Sequence, residues 1–264
     1  MNDIFNLTRA DAPLLISIPH LGTRIPDDLR HLYTDIALTV ADTDWHLDRL
    51  YECAHDLGAT VLSGRFSRYV IDLNRPSTDE SLYPGQTTTG LCPTETFRGM
   101  PLYQPGCLPD AAEKARRVAE YWRPYHETLE AELERLREQH ANVLLWEAHS
   151  IASVLPRLFE GKLPDLNIGT QDGRTAAPAA LAAVVAAAAD SDYTSIANGR
   201  FKGGFITRNY GAPNRGVHAI QLEMCQSTYM HETEPFDYAP ELAAAVQPTL
   251  RKMIEGAFEV VKSL

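Results

Sequence analysis

The chain has 264 residues, 44% hydrophobic and 22% charged, an ordinary globular balance that allows a sizeable core and argues against extended disorder. Its 24 Lys and Arg against 35 Asp and Glu give a formal net charge of −11, which repels nucleic-acid backbones and anionic membrane surfaces. There is no run of about 18 apolar residues, no basic start before an apolar N-terminal segment, and no metal or disulfide spacing among Cys53, Cys92, Cys107 and Cys225, so a soluble cytoplasmic protein with reduced thiols is expected.

The first apolar run, Leu14-Leu15-Ile16-Ser17-Ile18, reads as a buried strand leading into Pro19-His20-Leu21-Gly22. A helix follows over 45–57, with Leu47, Leu50, Tyr51 and Ala54 inward, and residues 60–62 and 69–73 read as two further strands. Residues 74–109 carry many Pro, Gly, Ser and Thr residues without a sustained period. Their tyrosines, leucines and Phe97 suggest an ordered loop that covers a site.

From Ala111 to Leu136, apolar residues recur at three- and four-residue steps, predicting a helix over 110–139 that Pro124 kinks or splits. Strands are predicted at 143–146, 193–196 and 217–224, with helices at 178–189 and about 240–261. Helices interspersed with strands in this way predict one α/β domain over 1–264, built on a mixed, mainly parallel sheet flanked by helices.

Strand ends in such sheets are the usual place for ligands, and two of them deliver a histidine: His20 after the first strand, and His149 in Glu147-Ala148-His149 after 143–146. Catalytic zinc commonly takes three protein ligands and leaves one position open, and Asp42, Asp44 or His46 offers the third. Asp72-Leu73-Asn74-Arg75 brings a carboxylate, an amide and a guanidinium together, with Arg75 suited to bidentate binding of a carboxylate. Lys202, Arg208 and Tyr210 lie in a glycine-containing stretch that matches no nucleotide-binding motif. Alternation over 217–224 points Gln221 and Glu223 to one face, where Glu223 is placed to act as general base.

Each segment also has a plainer reading. His20 can be a hydrogen-bonded structural residue, Asp72 and Arg75 can pair with each other, 202–211 can be a hairpin, and Glu223 can face solvent. Ser150 raises a serine-hydrolase alternative, but no G-x-S-x-G elbow is present.

Taken in order, these segments resemble the N-formylglutamate amidohydrolase family. The resemblance rests on Ile18-Pro19-His20-Leu21-Gly22, Asp42-Thr43-Asp44-Trp45-His46, Ile71-Asp72-Leu73-Asn74-Arg75-Pro76, Leu82-Tyr83-Pro84-Gly85-Gln86 and Thr89-Gly90-Leu91-Cys92-Pro93. It continues through Trp146-Glu147-Ala148-His149-Ser150-Ile151, residues 163–170, Gly203-Gly204-Phe205-Ile206-Thr207-Arg208 and Gln221-Leu222-Glu223-Met224. It implies a zinc-peptidase-like (phosphorylase/hydrolase-like) layered fold and hydrolysis of N-formyl-L-glutamate to L-glutamate and formate in histidine degradation.

The resemblance further implies one divalent metal, zinc, held by His20, Asp44 and His149, with Asp44 preferred to Asp42. Glu223 is the implied base, and Arg75, Asn74, Arg208 and Tyr210 the implied partners of a small dianionic substrate. Glu147, where the family more often has Asp, stands with Asp42, Asp72 and Gln221 as a supporting or unassigned group. A monomer or small homo-oligomer is expected. The alternatives are a zinc carboxypeptidase or other N-acyl-amino-acid hydrolase, and a non-catalytic binder of acidic amino acids.

Overall fold

A computed structural model describes residues 4–82, 85 and 88–264. Tyr83, Pro84 and Gln86 of the sequence motif therefore lie outside the described residues. The described residues form one seven-stranded sheet, comprising β1 Phe5–Thr8, β2 Leu14–Ile18, β3 Thr60–Gly64, β4 Val143–Ile151, β5 Leu166–Gly169, β6 Ser195–Ala197 and β7 Val217–Cys225. Their spatial order is β1-β3-β2-β4-β7-β5-β6. The four central strands, β3, β2, β4 and β7, are parallel, while β1 and β5 run antiparallel to their central neighbours.

All nine residues of β4 are buried, as expected for a central strand covered on both faces. On one face, Leu14, Ile16, Leu144, Trp146, Ile220 and Leu222 pack with the helices Pro178–Ala189 and Pro240–Ser263. On the other, Leu15, Leu145 and Ala219 pack against Tyr125, Leu129, Leu133 and Leu136 of the helix Arg123–Gln139. The chain leaves β2 toward β3 on one side and returns to β4 on the other, creating a crevice beyond the carboxyl ends of β2 and β4. Among the described residues, no helix is long and apolar enough to cross a membrane.

Several boundaries differ from the sequence expectation. The helix expected over 45–57 is two single turns, Leu47–Leu50 and Cys53–Asp56, although Leu47, Leu50, Tyr51 and Ala54 are all buried as expected. Residues 69–73 do not form a strand. The Asp72 carboxylate accepts the Asn74 N–H at 2.9 Å, and the Asp72 carbonyl accepts that of Arg75 at 3.2 Å, a local turn that competes with ladder pairing.

β4 runs through Ile151, so Glu147 and His149 belong to the strand rather than following it. The stretch around 202–211 contains a short helix, Phe205–Tyr210, in place of a hairpin. The long helical region splits as anticipated. Ala111–Arg117 gives way to a π-helical turn, Val118–Trp122, before Arg123–Gln139 begins with Pro124 in its first turn.

His126 is buried on that last helix, with Nε2 donating to the Leu73 carbonyl and Nδ1 accepting from the Tyr210 hydroxyl, both at 2.9 Å. Burial lowers its pKa from 6.5 to about 4. As pH falls through this interval the unfolded chain takes up a proton that the folded protein does not, so this contribution to stability is present above pH 6.5 and lost toward pH 4. The expected loss is about 3 kcal/mol. Chemical denaturation at pH 7 and pH 4.5 should show a smaller acid-induced drop in His126→Gln than in wild type, and equal drops would remove His126 as a source.

Candidate active site

Strand alternation and register assemble the centre of the site. β4 and β7 are parallel with His149 opposite Glu223 and Glu147 opposite Gln221. Alternation places these four side chains on one face, while their neighbours Trp146, Ala148, Ile220 and Leu222 enter the core beneath the other. A short peptide segment thus serves both packing and chemistry. Glu147, His149, Gln221 and Glu223 are all buried.

His20 lies just beyond β2, and its carbonyl accepts the Asp44 N–H at 3.0 Å, tying the loop that carries Asp44 to the strand end. Atoms from His20, Asp44 and His149 able to ligate a metal lie within 4.8 Å of one another. Asp44 Oδ2 is 3.0 Å from His149 Nδ1 and 3.7 Å from His20 Nδ1. On the far side of each ring, His20 Nε2 is 2.7 Å from Asp72 Oδ1, and His149 Nε2 is 3.0 Å from Glu147 Oε1.

With Nε2–H donating to those carboxylates, both Nδ1 lone pairs converge on Asp44, the carboxylate–histidine arrangement that supports metal ligands. His20 Nδ1 and Asp44 Oδ1 are buried without a hydrogen-bond partner, so two atoms of the triad still have bonding capacity. The charge balance also fits a cation. Asp44, Asp72, Glu147 and Glu223 are buried together with one buried guanidinium, that of Arg68, which bonds Asp72 at 2.8 Å. These residues fit a metal.

The local electrostatics follow from crowding. Burial opposes ionisation of Asp44, but its hydrogen bond with His149 and the attraction of both imidazoles hold it well below the ordinary carboxylate range. Burial likewise opposes charge on Asp72, but His20 and Arg68 outweigh it and lower the carboxyl. Burial opposes charge on His149 too, yet its bonds to Asp44 and Glu147 raise it to about 10. Burial raises Glu147 and pushes Glu223 up to about 7.

Asn74 links this centre to a second group of residues. Its Oδ1 accepts the Ile206 N–H at 2.8 Å, while its Nδ2 is 2.9 Å from His149 Nε2. Gln221 Oε1 accepts the Gly204 N–H at 2.7 Å, so side chains remote in sequence satisfy donors at the start of Phe205–Tyr210. An added Cβ at Gly204 would stand 2.3 Å from Asn74 Nδ2, which explains the glycine at this close approach.

A cavity opens onto His20, Asn74, Arg75, His149, Gln221 and Glu223, with Arg68, Arg200 and Phe97 also on its wall. Arg75 anchors its Nε–H on the Thr89 carbonyl at 2.9 Å. Thr88, Thr89 and Phe97 of the 74–109 segment also line this cavity.

Four expected site positions have different surroundings. Arg208 donates to the carbonyls of Gly203 at 2.7 Å and Leu82 at 2.9 Å and is not on the cavity wall; Tyr210 bonds His126 instead. Asp42 accepts the Phe97 N–H at 2.7 Å, and His46 Nε2 donates to the Phe236 carbonyl at 2.7 Å, so neither joins the three-residue cluster. Sequence reasoning missed Arg68 and Arg200. Arg68 is held by its bond to Asp72 and by the Phe97 ring beneath its guanidinium, a partner distant in sequence. Arg200 immediately precedes the glycine-containing stretch, the one signal that could have drawn attention to it.

A family model described as N-formylglutamate amidohydrolase matches residues 12–230. Curated N-formylglutamate deformylases from Pseudomonas putida and Pseudomonas aeruginosa are each 48% identical over 257 residues, covering 97% of this chain and 96% of the relative. Among solved structures, an N-formylglutamate amidohydrolase from Ralstonia eutropha JMP134 has a TM-score of 0.83 and 27% identity, with 98% of each chain covered. A gene product of Agrobacterium tumefaciens shares the fold at a TM-score of 0.73 and 20% identity, with 98% of this chain and 96% of that one covered.

Proposed function

The chain belongs to the N-formylglutamate amidohydrolase family, and from that membership we propose a metal-dependent mechanism in which His20, Asp44 and His149 hold one divalent ion, zinc, while Glu223 moves the proton. The reaction is hydrolysis of N-formyl-L-glutamate. The observation that carries the reading is the convergence of the three ligand atoms within 4.8 Å, with His20 and His149 on the wall of a cavity that Glu223 and Arg75 also line.

When bound, the metal would supply a Lewis acid that polarises the formyl carbonyl and lowers the pKa of water to about 7. Glu223 accepts the attacking water's proton and returns it to the departing amine, leaving formate and glutamate. Gln221, whose Nε2 is 3.5 Å from Glu223 Oε2, helps orient that carboxylate. Glu147 and Asp72 hold the His149 and His20 imidazoles in the tautomer whose Nδ1 faces Asp44. Asn74 lines the same cavity, its Oδ1 fixed by the Ile206 N–H.

Arg75 and Arg200 bind the two substrate carboxylates, and the Arg68–Asp72 pair fixes the wall beside them. Replacing Arg75 by Lys should raise KM far more than it lowers kcat, because the ammonium keeps charge but loses the planar fork. Unchanged kinetic constants would remove Arg75 as a carboxylate clamp. The functional reading itself is checked by comparing turnover of N-formylglutamate, N-acetylglutamate and short peptides. N-Formylglutamate is expected to be the preferred substrate, and cleavage of peptides alone would overturn the assignment.

A further inference from the structure

We propose that Trp122 and His126 are positioning residues that set the turn 72–75 for substrate binding, an inference that rests on the deformylase reading above. Three consecutive carbonyls of this turn have separate donors. His126 Nε2–H bonds Leu73 at 2.9 Å, the Phe205 N–H bonds Asn74 at 3.2 Å, and Trp122 Nε1–H bonds Arg75 at 2.9 Å. These bonds restrain the backbone from one side, while Asn74 and Arg75 line the cavity and Asp72 reaches His20.

The helical defect explains how both side chains reach the turn. Pro124 has no N–H to give the carbonyl four residues before it, and the chain responds with the π-helical turn Val118–Trp122, in which the Arg123 N–H bonds Val118 five residues back. One residue corresponds to about 100° around an α-helix, so the wider turn changes the direction in which Trp122 and the following residues project relative to Ala111–Arg117. Trp122 and His126 then fall four residues apart, one turn along the helix, with rings stacked 3.8 Å between centroids.

Phe205 contacts both rings, and the Tyr210 hydroxyl donates to His126 Nδ1, leaving His126 Nε2–H directed at Leu73. Tyr210 therefore acts from behind the turn through His126. The arrangement couples the π-helical turn to the orientation of the Arg75 side chain through the Arg75 carbonyl.

Trp122→Phe keeps an aromatic ring but removes the donor to Arg75. Its KM for N-formylglutamate should rise about tenfold, with kcat, metal content and thermal midpoint close to wild type. In an Arg75→Ala background the same substitution should cause no further rise in KM, as expected when Trp122 acts through Arg75. A wild-type KM in Trp122→Phe, or an equal penalty with Arg75 removed, would overturn the proposal for Trp122.

At the second anchor, His126→Leu should raise KM, and His126→Gln, which retains an N–H donor, should recover most of the loss. Equal behaviour of the two His126 variants would overturn the part assigned to that ring. Absence of N-formylglutamate turnover in wild type would instead defeat the functional reading on which the inference rests.

Discussion

Glu223→Gln is expected to lower kcat by about 10³-fold while leaving metal content and N-formylglutamate affinity close to wild type. The substitution preserves side-chain length and hydrogen-bonding capacity but removes a carboxylate that can take and return a proton. Glu223 is buried on β7 opposite His149 and lines the same cavity as His20 and Arg75, so its loss should affect the chemical step more than assembly of the site. Rapid kinetics, elemental analysis and calorimetric binding distinguish these effects. If kcat remains within about tenfold of wild type, the proton role does not belong to Glu223. Glu147 would then be the next group to test, because its Oε1 is 3.0 Å from His149 Nε2.

The elements most legible in sequence were those whose pattern follows directly from burial. The apolar runs of β2, β4 and β7 are recognisable, and alternation along β7 places Gln221 with Glu223 without knowledge of register. Register then does what local pattern could not, setting Glu147 and His149 beside them.

The turn at 69–73 was misread because its apolar residues resemble a strand while the Asp72 side chain bonds the backbone two residues ahead. The helix Phe205–Tyr210 was missed because Asn74 and Gln221, far away in sequence, satisfy donors at its start. Asp42 and Asp44 are two residues apart and chemically alike, so residue type alone could not separate them. The fold does so by bonding Asp42 to Phe97 and directing Asp44 toward the two imidazoles.

The same geometry predicts a graded response of metal retention. His149→Ala should abolish retention of the divalent ion, because it removes one of the three converging ligands found among the described residues and leaves Asp44 without its nearer imidazole partner. Glu147→Gln should retain metal with an affinity lowered about 10–100-fold, since the residue supports His149 from the ring's other nitrogen. An amide oxygen can still accept the Nε2–H, but it carries no formal negative charge to strengthen the imidazole as a ligand. Competition against a chelator, followed by elemental analysis and circular dichroism, separates loss of metal from loss of fold. Full metal occupancy in folded His149→Ala would remove His149 from the ligand set, whereas equal loss in both variants would place Glu147 among the ligands. The expected order, wild type above Glu147→Gln above His149→Ala, follows from one imidazole using its two nitrogens differently: Nδ1 faces the proposed ion and Nε2 faces the carboxylate that fixes the ring.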